Sequence, residues 1–261
     1  MRIISVGGGK GGILKTGTAQ AIAAYLDRQN QVWTGADTDQ ENKIFADVYP
    51  GVVKPFEVYD TEAGRLRTDQ INALVEDIDR ARNAKADAYI LDQGAGQANV
   101  LRGAMTETGM LAEVQSGAIA MTIVFVTLNS DAALTILAQN LESTFTDVPS
   151  VRWIIAANEI EDTLDSKVAT VLANDGPMQS LIRKRNAKVI RIPFLDDKTT
   201  MASWRNTHKS LAEFERIGSF AERGRIKQWS GTIFSQFDTV KDAFLNPHAA
   251  KKNALPTVAA N

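Results

Sequence analysis

Residues 7–16 read Gly-Gly-Gly-Lys-Gly-Gly-Ile-Leu-Lys-Thr. Before them, Ile3, Ile4 and Val6 form a short apolar run; after them, Ala19, Ile22, Ala23 and Leu26 recur at helical spacing. A glycine-rich stretch in that position commits the chain to a tight turn from a buried strand into a helix. Backbone N–H groups converge in such a turn, and the helix N-terminus adds its partial positive charge, so the turn is built to cradle phosphate oxygens. Lys15 is placed to lie along the β- and γ-phosphates, and the Thr16 hydroxyl to reach Mg²⁺. A ligand-free glycine turn is the plain alternative, but it needs neither the lysines nor the threonine at these spacings.

The common phosphate-loop pattern, G-x-x-x-x-G-K-[ST], fits at Gly9 and at Lys15-Thr16 and fails at Leu14. The variant K-G-G-x-x-K-[ST] fits throughout, from Lys10 to Thr16. That variant resembles the deviant Walker A loop of the ParA/MinD family of ATPases. The resemblance implies ATP or ADP with Mg²⁺, held by Gly9, Lys10, Gly11, Gly12, Ile13, Leu14, Lys15, Thr16 and Gly17. It also implies an ATP-dependent homodimer in which Lys10 reaches the partner subunit's nucleotide. Two residues depart from the family pattern: Leu14 stands where glycine is usual, and Gly17 where Ser or Thr is usual.

Two acidic strand ends follow. An apolar stretch over 32–36 runs into Asp37-Thr38-Asp39-Gln40-Glu41-Asn42, and Ala88-Tyr89-Ile90-Leu91 runs into Asp92-Gln93-Gly94-Ala95-Gly96. Acids beyond the carboxyl end of a strand sit where open α/β sheets bind ligands. A solvated acidic turn fits either one taken alone. By the resemblance, Asp39 orients the attacking water, Asp37 supports the metal and its loop, and Asp92 holds Mg²⁺ at the end of a Walker B strand. The same likeness puts Asn158 and the segment Pro193, Phe194, Leu195 against the base, although an Asn at a strand end is also an ordinary turn former.

The remaining chain alternates strands with helices, which predicts an α/β fold: a doubly wound, mostly parallel sheet with helices on both faces, the P-loop NTPase fold. Asn30 is expected to end the first helix in a left-handed conformation. Residues 43–67, broken by Pro50-Gly51, Pro55 and Gly64, read as a loop-rich stretch with one short strand over 56–59. Thr68 is the expected cap of a helix with Ile71, Leu74, Val75 and Ile78 inside. A helix is expected over 97–115 and a buried strand over 118–128. A cap at Ser130 or Asp131 follows, then a strand over 151–157. Leu211, Phe214, Ile217 and Phe220, and then Ile226, Trp229, Ile233, Phe237, Val240 and Phe244, keep helical spacing. They serve either to dock helices on the sheet or, in part, to meet a partner. One domain is expected over 1–245, with a flexible tail over 246–261.

Composition narrows the functions. The 261 residues carry no cysteine, which removes disulfides, thiolate catalysis and Cys-ligated clusters; two histidines are too few for a His-based zinc site. A net charge of −2 means any nucleic-acid contact is local. The densest basic cluster is Arg183, Lys184, Arg185, Lys188 and Arg191. It is either a solvated face or a site of non-specific DNA contact. No signal peptide or membrane-length apolar run is visible, and residues 249–261 lack the bulky apolar face of a membrane-binding helix, so a cytoplasmic protein without membrane targeting is expected.

Within the family, the 37–42 and 92–95 loops look most like the ParA-like proteins of plasmid stability and conjugal transfer operons (StbB/TraL type). The expected function is a weak, partner-stimulated ATPase switch in plasmid DNA partition, positioning or conjugal transfer, working with a DNA-binding adaptor. A metabolic phosphate-loop kinase or ligase, and a nucleotide-binding module with little turnover, are the alternatives.

Overall fold

The computed structural model describes residues 1–9, 12, 14–60, 65–94, 97–159, 168–195 and 197–246. In chain order the first half holds β1 (Arg2–Gly8), α1 (Lys15–Arg28), β2 (Trp33–Asp37), α2 (Ile44–Val48), β3 (Val53–Pro55), β4 (Tyr59–Asp60), β5 (Arg65–Leu66), α3 (Thr68–Asn83) and β6 (Ala88–Asp92). The second half holds α4 (Ala98–Glu107), α5 (Met110–Gln115), β7 (Ala120–Thr127), α6 (Asp131–Ser143), β8 (Arg152–Asn158), α7 (Val168–Asn174), α8 (Gly176–Lys184), β9 (Lys188–Ile192), α9 (Ala202–Thr207), α10 (Leu211–Ile217) and α11 (Phe220–Thr239).

Seven strands form one sheet in the order β3-β2-β6-β1-β7-β8-β9, with every pairing parallel; β4 and β5 make a separate antiparallel pair. Strands joined by helical crossovers are apolar on both faces, because helices cover both. β1, fully buried in the middle, divides its residues accordingly: Ile4 and Val6 belong to the core layer shared with α1, α2, α9, α10 and α11, and Ile3 to the layer shared with α3 to α8. α1 is buried from Thr18 to Leu26, and the Tyr25 hydroxyl donates to Asp238 on α11 at 2.8 Å. Buried Arg2 ties down the end of the helical tail, donating to the Leu245 carbonyl at 3.2 Å and to the Thr122 hydroxyl at 3.0 Å.

Several local expectations hold for their stated reasons. Asn30 has φ 53°, and Ser130 caps α6 by accepting from the Ala133 N–H. Others are corrected. Residues 43–67 contain a helix, α2, and three short strands, with no single strand over 56–59. α2 has no local side-chain cap, so nothing adjacent in sequence announces it. Thr68 begins α3 without capping it, and Val75 is only half-buried in the stripe. The helix over 97–115 is two helices, parted at Gly109 with φ 77°. Leu211 and Phe214 are buried, but Ile217 and Phe220 stand 59% and 86% exposed at the α10–α11 corner. Residues 247–261 of the expected tail lie outside the described residues.

Candidate functional site

Sheet register assembles the site. Asp92 is the register partner of Val6 on β1 and of Asp37 on β2, so the glycine turn and both acidic strand ends meet at one edge. The glycines bear on this geometry in different ways. A Cβ on Gly7 would lie 2.7 Å from Gln93 Oε1, and one on Gly9 would overlap Ile136 of α6. Gly12 has φ 76°, a conformation glycine adopts at no steric cost. Lys10, Gly11 and Ile13 lie outside the described residues, as do Ala95 and Gly96.

Leu14 takes the left-handed conformation, φ 70° and ψ 29°, where the common pattern places glycine. Its carbonyl accepts from the Thr18 N–H at 2.9 Å and the Thr18 hydroxyl at 2.8 Å, which holds the first turn of α1 in place. Its side chain packs partly buried on the α1 side of the core and lies across Gly17: a Cβ there would stand 2.5 Å from Leu14 Cδ1. The two departures from the family pattern are thus one steric exchange.

Lys15 is buried and Thr16 half-buried at the start of α1. Asp92 is fully buried, and among the described residues no hydrogen bond of normal geometry reaches either carboxylate oxygen. Burial pushes its carboxyl well above the usual carboxylate range; Asp37 adds to the shift, and the Thr16 hydroxyl and Lys15 ammonium oppose it. A buried carboxylate in this state is stabilised by a cation. Among the described residues no three His, Cys, Asp or Glu side chains group as metal ligands. One buried carboxylate and one neighbouring hydroxyl fit Mg²⁺, which is held by one or two protein oxygens together with phosphate oxygens and water. Asp92 and Thr16 are the residues that could hold it.

Asp37, expected to support the metal and its loop, holds that loop and the start of α2 in the structure. One carboxylate oxygen accepts from the Asp39 N–H at 3.0 Å, and the other from Phe45 and Ala46 at 3.0 and 3.2 Å. It caps α2 across the loop, which explains that helix. Burial raises its pKa to about 6 despite these N–H groups. Asp39 folds its own loop, its Oδ1 accepting from Glu41 and Asn42 at 3.1 and 3.2 Å, and it lines the central cavity.

That cavity encloses about 710 Å³. Gly12, Leu14, Lys15, Thr16, Gly17 and Asp39 line it, so the structure brings together the described phosphate-side candidates of the loop other than Gly9. The expected base-side residues are not among its walls. Asn158 is buried at the end of β8, the Pro193 carbonyl accepts from Trp229 Nε1 at 2.8 Å, and Leu195 belongs to the core; Phe194 is exposed. The far wall is instead Gln20 of α1 with Met201, Trp204, Arg205, His208 and Lys209. These residues escaped the sequence reading. The i, i+3 pair Met201 and Trp204 was the available signal, and it looks like any core stripe.

The basic cluster is divided. Arg185 donates to the Thr144 carbonyl and, at 3.2 Å, to that of Phe145, with its guanidinium 5.3 Å from the centre of the Trp153 ring. Arg191 pairs with Glu159 at 3.2 Å. Arg183, Lys184 and Lys188 remain exposed. Arg191 is also exposed, so of the five cations only Arg185 is drawn into the fold.

No protein-family model matches the chain, and no curated protein does. Solved structures do. The MinD cell division protein of Aquifex aeolicus matches with a TM-score of 0.54 at 15% identity, over 93% of this chain and 98% of that one. A chain of the MinC:MinD cell division protein complex of Aquifex aeolicus gives 0.55 at 13%, over 93% and 96%. The septum site-determining protein MinD of Pyrococcus horikoshii, complexed with Mg-ADP, gives 0.53 at 13%, over 94% and 99%. At these identities the likeness shows the fold alone: a seven-stranded parallel α/β sheet flanked by helices, shared with these MinD structures. Among the described residues no helix is long and apolar enough to cross a membrane.

Proposed function

We propose that the chain is a Mg-ATP-dependent switch ATPase of ParA/MinD type. The observation that carries this reading is the fully buried Asp92 carboxylate, acted on by the Thr16 hydroxyl and the Lys15 ammonium and in register with Asp37. Mg²⁺, when bound, neutralises charge on the β- and γ-phosphates. Lys15 binds the phosphates, α1 offers its N-terminal N–H groups, and Asp39 orients the attacking water from its turn. Catalysis is positioning and charge stabilisation. The ribose and base take the part of the cavity lined by Gly17, Gln20, Met201 and Trp204.

Two subunits close on two nucleotides, with Lys10 of each reaching the other's phosphates, and hydrolysis releases the dimer. The StbB/TraL-like loops favour work in plasmid DNA partition or conjugal transfer through a DNA-binding adaptor, with Arg183, Lys184 and Lys188 as the available DNA contacts. ATP turnover by wild type, Lys15→Ala and Asp39→Ala tests the assignment: both variants should lose activity. Wild-type rates in both would remove it. A small-molecule kinase is the second reading, favoured by the extent of the cavity beyond Thr16; turnover that requires an added acceptor and ignores Lys10→Ala would select it.

A further inference from the structure

The loops after β2 and β6 meet at Thr38, whose N–H and hydroxyl both reach the Asp92 carbonyl, and a side chain 59 residues away in sequence adds a further grip on it. Gln97, the residue before α4, donates from Nε2 to the Thr38 carbonyl at 3.2 Å, and the Thr38 hydroxyl donates to Gln97 Oε1 at 2.8 Å. Thr38 is buried between Asp37 and Asp39, and its own N–H donates to the Asp92 carbonyl at 2.9 Å. Gly94 makes the arrangement possible, because a Cβ there would lie 2.7 Å from Gln97 Nε2. The amide thus grips both polar groups of one residue flanked by the two site acids, and it faces the same cavity.

We propose that Gln97 is a positioning residue: a two-point clamp that makes the Asp39 loop and the Asp92 loop respond as one unit to the occupant of the phosphate cavity. Both bonds need the present separation of the loops, since an amide has fixed geometry and a shift of roughly 1 Å takes a hydrogen bond out of range. A loop adjusting around a cation at Asp92 therefore carries Thr38 with it, and Asp39 is the next residue. The purpose of the clamp rests on the nucleotide reading above; its existence does not.

Hydrogen exchange at the Thr38 amide reads the clamp in the ligand-free protein. Gln97→Ala should speed that exchange on the order of 5- to 150-fold, the usual range of coupling between sites, while amides of β1 and α3 stay unchanged. From the other side, Thr38→Val should have a similar effect and Thr38→Ser, which keeps the hydroxyl, should restore most of the protection. In steady-state ATP turnover, Gln97→Ala should lower kcat by a comparable factor with KM little changed. Unchanged exchange at Thr38 in Gln97→Ala overturns the clamp. A raised KM with kcat retained overturns the positioning role in favour of direct nucleotide contact. If the wild type turns over no ATP, the nucleotide reading falls by itself, and the exchange result still decides the clamp.

Discussion

Leu14 and Gly17 should behave as a coupled pair in stability measurements. A Cβ at position 17 would stand 2.5 Å from Leu14 Cδ1 and 2.9 Å from Cγ, against the roughly 3.5–4.0 Å that carbon atoms prefer. Gly17→Ala must therefore push the Leu14 side chain about 1 Å or more off its seat, at an overpacking cost of roughly 1–3 kcal/mol. The helix-propensity gain offsets at most about 1 kcal/mol of that. In the wild type the substitution should be neutral to destabilising, by up to about 2 kcal/mol. In a Leu14→Gly background the seat is empty, the left-handed strain of roughly 1–2 kcal/mol is gone, and the same Gly17→Ala change should stabilise by up to about 1 kcal/mol. Urea unfolding of the four proteins, compared at equal m-values, measures the coupling, which should be about 1–3 kcal/mol. Additivity within about 0.5 kcal/mol would refute the steric exchange.

Other consequences follow from the site's charges. Asp37 and Asp92 have folded-state pKa values above their unfolded ones, so the stability tied to their protons is complete below about pH 4 and is lost as pH rises, through about 6 for Asp37. Without divalent cation, thermal stability of the wild type should fall across that window relative to Asp92→Asn, and parallel curves would refute the shift at Asp92. Mg²⁺ with nucleotide should raise Tm more at pH 8 than at pH 5. Asp37→Ala should cost about 1–3 kcal/mol by leaving the Phe45 and Ala46 N–H groups of α2 unpaired, read by urea unfolding. If DNA is bound through Arg183, Lys184 and Lys188, the log–log salt slope should be roughly −3, at about −0.9 per phosphate. Arg185→Ala should leave that slope unchanged while destabilising the fold by about 1–3 kcal/mol.

Some features that depend on neighbours in sequence were legible beforehand, although the break at Gly109 and the start of α3 were not. The parallel strands, the Asp92 strand end, the Asn30 terminus and the Ser130 cap each follow from spacing or from a local hydrogen bond. What long-range contacts decide was hidden. α2 exists because Asp37 caps it from the preceding strand end, and no neighbour of Ile44 signals this. Arg185 looks like surface charge until the carbonyls of Thr144 and Phe145 are folded beneath it. Leu14 and Gly17 look like two defects in a motif until the side chain is seen lying over the glycine. In the same way the far wall of the cavity is set by how the chain after β9 returns across α1, which brings Trp204 within 5.8 Å of Trp229, ring centre to ring centre.

The most direct test of the proposed switch is molecular mass by light scattering, without nucleotide, with ADP, and with Mg-ATP on an Asp39→Ala background that retains bound ATP, each repeated with Lys10→Ala. The account predicts a dimer only with ATP, lost when Lys10 is removed. A mass that ignores nucleotide would contradict it.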